Sequence, residues 1–206
     1  YWRLNEISGS VATDISGVGR NGIYTAGTTL NQLGPISAID SKAVLFNGTT
    51  GKITTDDNTI LSRTNGQALS VEAWIKPNWT SGYRDIVANR CASSLNWLLY
   101  QHGTDGSLQL HGSSQNKSGY IPPNGVWTYV VATVDSAGVY KLYANGVLVQ
   151  TLSGYTYGSA CSTLNIGAGP SNVGEYYNGV ISEVAVYNRA LSIAEINQHY
   201  AARSSL

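Results

Sequence analysis

Residues 127–152 read WTYVVATVDSAGVYKLYANGVLVQTL, followed by LNIGAG at 164–169 and YNGVISEVAVYNRALSIAEI at 177–196. Together these stretches decide the fold. Runs that alternate apolar and polar residues are separated by turn signals, and period two is the mark of a strand with one face buried. The pair Asn145-Gly146 is the strongest local signal. Both residues tolerate positive φ, so they favour the primed two-residue turn that matches strand twist. After the last run, Ser192-Ile-Ala-Glu195 reads as a capping box opening a short helix, with Ile196 and Tyr200 turned inward at helical spacing.

The rest of the chain follows the same pattern. ALSVEAWIKP places Val71, Ala73 and Ile75 on one face and Ser70, Glu72, Trp74 and Lys76 on the other, and Pro77 ends the run. Shorter strands are expected at IYTAG, DIVANR, NWLLYQHG and SLQLHG, with YWRLNE as an edge or closing strand. KAVLFNGTTGKITT reads as a hairpin around Asn47-Gly48 and Gly51. About a dozen short strands with Gly-rich turns predict an all-β, antiparallel two-sheet sandwich with a C-terminal helix. No linker or repeat divides the sequence, so one domain over 1–206 is expected. The absence of methionine and the tyrosine at position 1 suggest a domain processed or excised from a larger protein.

Composition excludes several function classes. Twelve Lys and Arg balance twelve Asp and Glu, with no basic cluster, so the footprint of a nucleic-acid partner is missing. No apolar run reaches the length of a membrane span, so no membrane insertion is expected. Charged residues make up only 12%, while Tyr (14), Trp (5) and Gly (23) are plentiful, which suits β-structure and stacking against sugars. Cys91 and Cys161 lie in Ser/Ala/Gly-rich loops, a setting that favours one disulfide in an oxidising compartment; two free thiols are the alternative.

In order along the chain, YWRLNE…ATDISGVGRNGIY, AVLFNGTTGKITT, LSVEAWIKP and the late segment resemble laminin-G-like and pentraxin-like jelly rolls of the concanavalin-A-like sandwich group. The resemblance implies a secreted, cell-surface or virion-surface module. It also implies a ligand that is an oligosaccharide, a glycoconjugate or a protein surface. One departure matters. Where pentraxins hold paired calcium ions, this chain has AGPSNVGEYYNG with Glu175 as its only carboxylate, too little charge for two dications.

A single structural calcium ion is instead expected at DISGVGRNG, from Asp14 and backbone carbonyls near Gly17 and Gly19. The jelly roll brings its first and last strands together, which adds Glu183. An Asx-turn closed by Asp14 is the competing reading. For the sugar site, the candidates are Trp79, Tyr83, Trp97, Tyr100, His102, His111, Tyr120, Tyr176 and Tyr177. Rings stack on sugar faces while polar neighbours fix hydroxyls. His111 shares a strand face with Gln109, opposite Leu108 and Leu110, and so points away from the core.

Catalysis has no comparable signature. The alternating carboxylates that flank a glycosidic bond are missing: Glu72 stands alone on its strand. There is no Gly-x-Ser-x-Gly elbow either. The expectation is a non-catalytic glycan-binding module, with a structural or adhesion domain acting through protein contacts as the alternative.

Overall fold

The computed structural model describes residues 1–35, 41–56, 61–114, 118–170 and 173–202. Two sheets of seven strands pack face to face. The first runs β1 (Val11–Ala12), β2 (Gly22–Tyr24), β5 (Ile53–Asp56), β13 (Thr163–Ile166), β7 (Arg84–Arg90), β8 (Leu95–Gln101) and β9 (Leu108–His111). The second runs β12 (Val147–Leu152), β11 (Tyr140–Ala144), β10 (Thr128–Val134), β6 (Leu69–Pro77), β14 (Asn178–Tyr187), β4 (Lys42–Asn47) and β3 (Thr28–Leu33). Among the described residues every strand pairing is antiparallel. This is the jelly-roll sandwich that the alternation predicts.

Inward residues of both sheets make one core. Val71, Ala73 and Ile75 from β6 meet Val130, Ala132 and Val134 from β10 and, from the facing sheet, Ile86, Val87, Leu99 and Leu110. The meander β10–β11–β12 closes as its turn residues dictate. Asp135 Oδ1 accepts from the amides of Ala137 and Val139, and Asn145 (φ 52°) with Gly146 (φ 79°) reverses the chain.

The outer face of the second sheet is not left to solvent. Helix α1 (Ile193–Ala201) lies on it, opened by the Ser192–Glu195 capping box. Ile196 is buried there with Trp74, Tyr129, Val131 and Tyr143, and the Tyr200 ring stacks on Trp74 at 5.8 Å. Burial on both faces explains why β6 is covered almost from end to end. Among the described residues, no helix is long and apolar enough to cross a membrane.

Two expectations are corrected. Asn47–Gly51 is not a hairpin, because β4 and β5 belong to different sheets. Asn47 Oδ1 accepts from the amides of Thr49, Thr50 and Gly51, which bends the chain across the edge of the sandwich. A Cβ on Gly51 would fall 2.3 Å from Gly27 O, so only glycine permits that crossing. YWRLNE, for its part, is a bridge and not a strand: Trp2 alone pairs, with Asp14 on one side and Val184 on the other.

Candidate functional site

On the outer face of the first sheet, three strands and two loops surround a recess of ≈ 210 Å³. Strand alternation builds it. In β8, Trp97 and Leu99 point into the core, so Leu98 and Tyr100 point out; in β9, Leu108 and Leu110 point in, so Gln109 and His111 point out. In β7 a bulge between Asp85 and Val87 turns both Ile86 and Val87 inward. Ala88 packs with Leu98 and Tyr100 on the outer face, and Arg90 lines the recess above them. The loop after β13 brings Glu175 over the top.

Rings line this surface in a row. Tyr83 meets His102 edge-on at 5.1 Å and Tyr100 at 5.9 Å, and Tyr100 meets His111 at 6.0 Å. Tyr100 Oη donates to Gln109 Oε1 at 2.9 Å, which pins its ring, and Tyr83 is the exposed member of the row. A Cβ on Gly103 would sit 2.9 Å from the Tyr83 ring, so glycine there lets the ring lie against backbone.

Beside the rings lies a charged network. Arg90 Nη1 donates to Glu175 Oε2 at 2.5 Å and lies 3.5 Å from Asp85 Oδ2. Asp85 is wholly buried, and its Oδ1 has no hydrogen-bond partner. Burial, reinforced by the Glu175 carboxylate, pushes Asp85 well above the usual carboxylate range, against the pull of Arg90. Burial pulls His111 down, helped by Arg90, which favours a neutral imidazole. Arg90 and Glu175 reach solvent, with side chains 20% and 23% exposed, while Asp85 does not. The recess therefore offers a donor, an acceptor and aromatic walls. Its two carboxyl groups do not flank an open space, because Asp85 is sealed beneath the surface.

Of the residues expected from sequence, Tyr83, Tyr100 and His111 line the recess, and His102 stands behind Tyr83. Tyr176 adjoins Glu175, and its carbonyl accepts from Arg84 at 3.0 Å. Trp79 lies one loop away, its Nε1 donating to Gly82 O at 2.9 Å and its ring flat over Gly106. Tyr120 is partly buried against the core. Trp97 and Tyr177 belong to the core, and neither is available to a ligand. Trp97 donates from Nε1 to Leu61 O at 2.9 Å, and Tyr177 packs edge-on against Phe46.

Sequence reasoning missed Asp85, Arg90, Leu95 and Leu98. The parity of Ala88 and Arg90 within DIVANR was the available signal. Cys91, next to Arg90, is bridged to Cys161 with Cα atoms 5.6 Å apart, which ties the end of β7 to the segment entering β13.

In the loop expected to hold calcium, the chain's own donors meet Asp14. Asp14 Oδ1 accepts from the amide of Ser16 and from the Tyr1 ammonium, and Oδ2 accepts from the amide of Arg20. Burial alone would raise Asp14, but these donors hold it well below the usual range. Lone pairs already taken by N–H donors are not offered to a cation that needs six to eight oxygen ligands. The Ser16 amide bond to Asp14 is the Asx-turn contact, and Gly17 and Gly19 take positive φ in the same loop. The backbones of residues 14 and 184 do flank Trp2, yet the Glu183 carboxylate is engaged elsewhere, by Tyr1 Oη and Arg3 Nε. The set does not fit calcium. Among the described residues, no group of three or more His, Cys, Asp or Glu converges to hold a metal ion.

Comparison with known proteins agrees with this architecture. The profile described as the concanavalin A-like lectin/glucanases superfamily matches residues 47–197. Human adhesion G-protein coupled receptor D1 is 31% identical over 107 residues, which span 48% of this chain and 12% of the receptor. Domain 4 of AbnA, an extracellular arabinanase of family GH43 from Geobacillus stearothermophilus, was solved with arabinotriose. It superposes with a TM-score of 0.64 at 22% identity, over 95% of this chain and 84% of that one. The binding domain of botulinum neurotoxin serotype G gives 0.68 at 14% identity, over 94% of this chain and about half (49%) of the other. A Trypanosoma rangeli sialidase gives 0.67 at 13%, over 95% and 31%. At such identities the likeness to these three structures is one of fold.

Proposed function

The chain belongs to the concanavalin A-like lectin/glucanase superfamily, and on that footing we propose that it is a non-catalytic module that binds oligosaccharides. The observation that carries the reading is the first-sheet recess, where Tyr83, Tyr100 and His111 stand beside the exposed ends of Arg90 and Glu175. A sugar presents an apolar ring face and a rim of hydroxyls that both donate and accept. Aromatic walls suit the first, and a guanidinium beside a carboxylate suits the second. Asp85 serves this site from below by holding Arg90, out of reach of any substrate.

Affinity in the micromolar to millimolar range follows from a shallow site whose gains are offset by stripping water from hydroxyls. Neutral or mildly anionic glycans fit the zero net charge. The arabinotriose complex of the arabinanase domain makes arabino-oligosaccharides the first probes. A secreted, cell-surface or virion-surface setting belongs to the same proposal, since a disulfide persists where conditions oxidise.

The test is a broad glycan array followed by calorimetry on unaltered protein and on Tyr83→Ala. Saturable binding that Tyr83→Ala abolishes supports the reading. The match to an adhesion receptor supports a second one, a protein-contact module. An array without hits, alongside a concentration-dependent oligomer in sedimentation, would favour that alternative and sink the first.

A further inference from the structure

A second cavity, of ≈ 280 Å³, opens on the opposite face of the sandwich, beside the C-terminal end of helix α1. We propose that it is a binding site for an alkylammonium group. Glu72 of β6 and Glu183 of β14 both line it, with side chains only 9% and 12% exposed. Arg3 meets Glu183 at 3.5 Å from a side chain that is 41% exposed, so one partly solvated guanidinium stands against two lining carboxylates. Trp74, Tyr129, Tyr187 and Tyr1 form the walls.

The direction of the hydrogen bonds selects the ligand class. Tyr129 and Tyr187 both donate their phenol protons to Glu72, the latter at 2.8 Å, and Tyr1 donates its proton to Glu183. His199 Nδ1 lies 3.0 Å from Glu72 Oε2. A carboxylate oxygen accepts from the ring nitrogen that faces it, so the Nδ1 side of His199 is directed at Glu72 and not at the cavity. The protons of these groups are spent within the wall. What the phenols still present to the cavity is lone pairs, because Tyr200 stacks on Trp74 and Tyr129 and His199 stacks on Tyr187. A sugar needs protons as well as lone pairs from its site. An ammonium group is donor-only, and its charge is attracted by carboxylates. Burial pushes Glu183 up, opposed by Tyr1 and Arg3, so a further cation placed beside it stabilises its charged form.

The ammonium group can come from a lysine side chain of a protein partner or from a small free amine. Nuclear magnetic resonance titration separates the two. The probes are Nα-acetyl-lysine methylamide, its Nε-acetylated analogue and cadaverine, and the reporters are the Trp74 indole N–H and the His199 ring. Saturable shifts are expected with at least one charged probe and none with the acetylated one. Capped lysine alone identifies a peptide side chain; cadaverine alone identifies a free amine. Glu183→Gln keeps the side chain's shape and removes its charge, and should weaken binding tenfold or more, while Tyr83→Ala on the other face leaves it unchanged. Equal shifts from the acetylated analogue, no shifts from either charged probe, or shifts confined to Tyr83, Tyr100 and His111 would overturn the proposal. The acetylated probe works on unaltered protein, so the result stands even where Glu183→Gln fails to fold.

Discussion

The two outer faces of this sandwich bury the same kind of charge in different ways. On the first sheet, Asp85 lies beneath the surface with one oxygen unpartnered and shares a guanidinium with Glu175. On the second, Glu72 is a hub that accepts from Tyr129, Tyr187 and His199. A buried carboxylate therefore has no fixed worth. What counts is how many donors depend on it, and whether a cation has been supplied with it. The first face has its own cation and retains open rings. The second has its rings packed under a helix and its donors consumed.

The largest effect expected from breaking this contrast comes from the covalent tie on the first face. Replacing Cys91 and Cys161 with serine releases a separation of 70 residues. In the chain-entropy model that costs about 4 kcal/mol, readable by urea melts. Because Cys91 follows Arg90, glycan binding should weaken with it while the Glu72 cavity keeps its probe shifts.

Next in size is the hub. Glu72→Ala strands two hydroxyls and an imidazole and should cost about 3 kcal/mol. Glu72→Gln should recover part of that, because the amide oxygen still accepts. Equal losses in both variants would mean that shape, and not the acceptor, is what matters.

Tyr83→Ala tests the binding side of the comparison. Its ring is among the exposed large side chains, so stability should change little, while glycan affinity should fall about tenfold, or about 1.4 kcal/mol. A comparable fall in melting temperature would show that the ring supports the fold instead.

Asp85→Asn should run opposite to Glu72→Ala, leaving stability unchanged or raising it by about 1 kcal/mol at neutral pH. The sign follows from linkage. The folded-state pKa of Asp85 is raised, so its favourable contribution is complete below the unfolded value and fades as pH climbs through the folded one. The asparagine variant should lack that decline, which melts at a series of pH values above 4 would reveal.

The smallest expected effect is none. Chelator should leave the melting temperature of unaltered protein unchanged, since amides and not a metal ion satisfy Asp14. A drop in chelator would restore calcium to this loop.

Much of this architecture is legible in the chain because it is local. The Asn145-Gly146 reversal, the alternation of β10 and the Ser192–Glu195 box each involve residues a few positions apart. Where local signals are shared by two outcomes, reading fails. Asn47-Gly48 resembles a hairpin turn, yet whether the next strand stays in its sheet depends on partners elsewhere in the chain. NWLLYQH is apolar on both faces, so alternation alone leaves Trp97 undecided between groove and core; Leu99 beside it in the core settles the matter. The hub at Glu72 was invisible for a related reason. It stands alone on its strand, and its partners arrive from β10, β14 and α1. Arg90 and Glu175, 85 residues apart, meet only because a loop crosses the sheet.

The strand order has a consequence for how such a chain reaches this state. β13 fills the gap between β5 and β7, and β14 fills the gap between β6 and β4. Each sheet is thus two open-edged halves until its late strand inserts, and that insertion closes loops spanning much of the chain. Barriers dominated by such non-local closure put folding on a timescale of about milliseconds to seconds. During synthesis the early strands emerge long before their centrepieces, with unpaired edges available to a neighbouring copy. Productive folding is therefore a race that the last quarter of the sequence has to win.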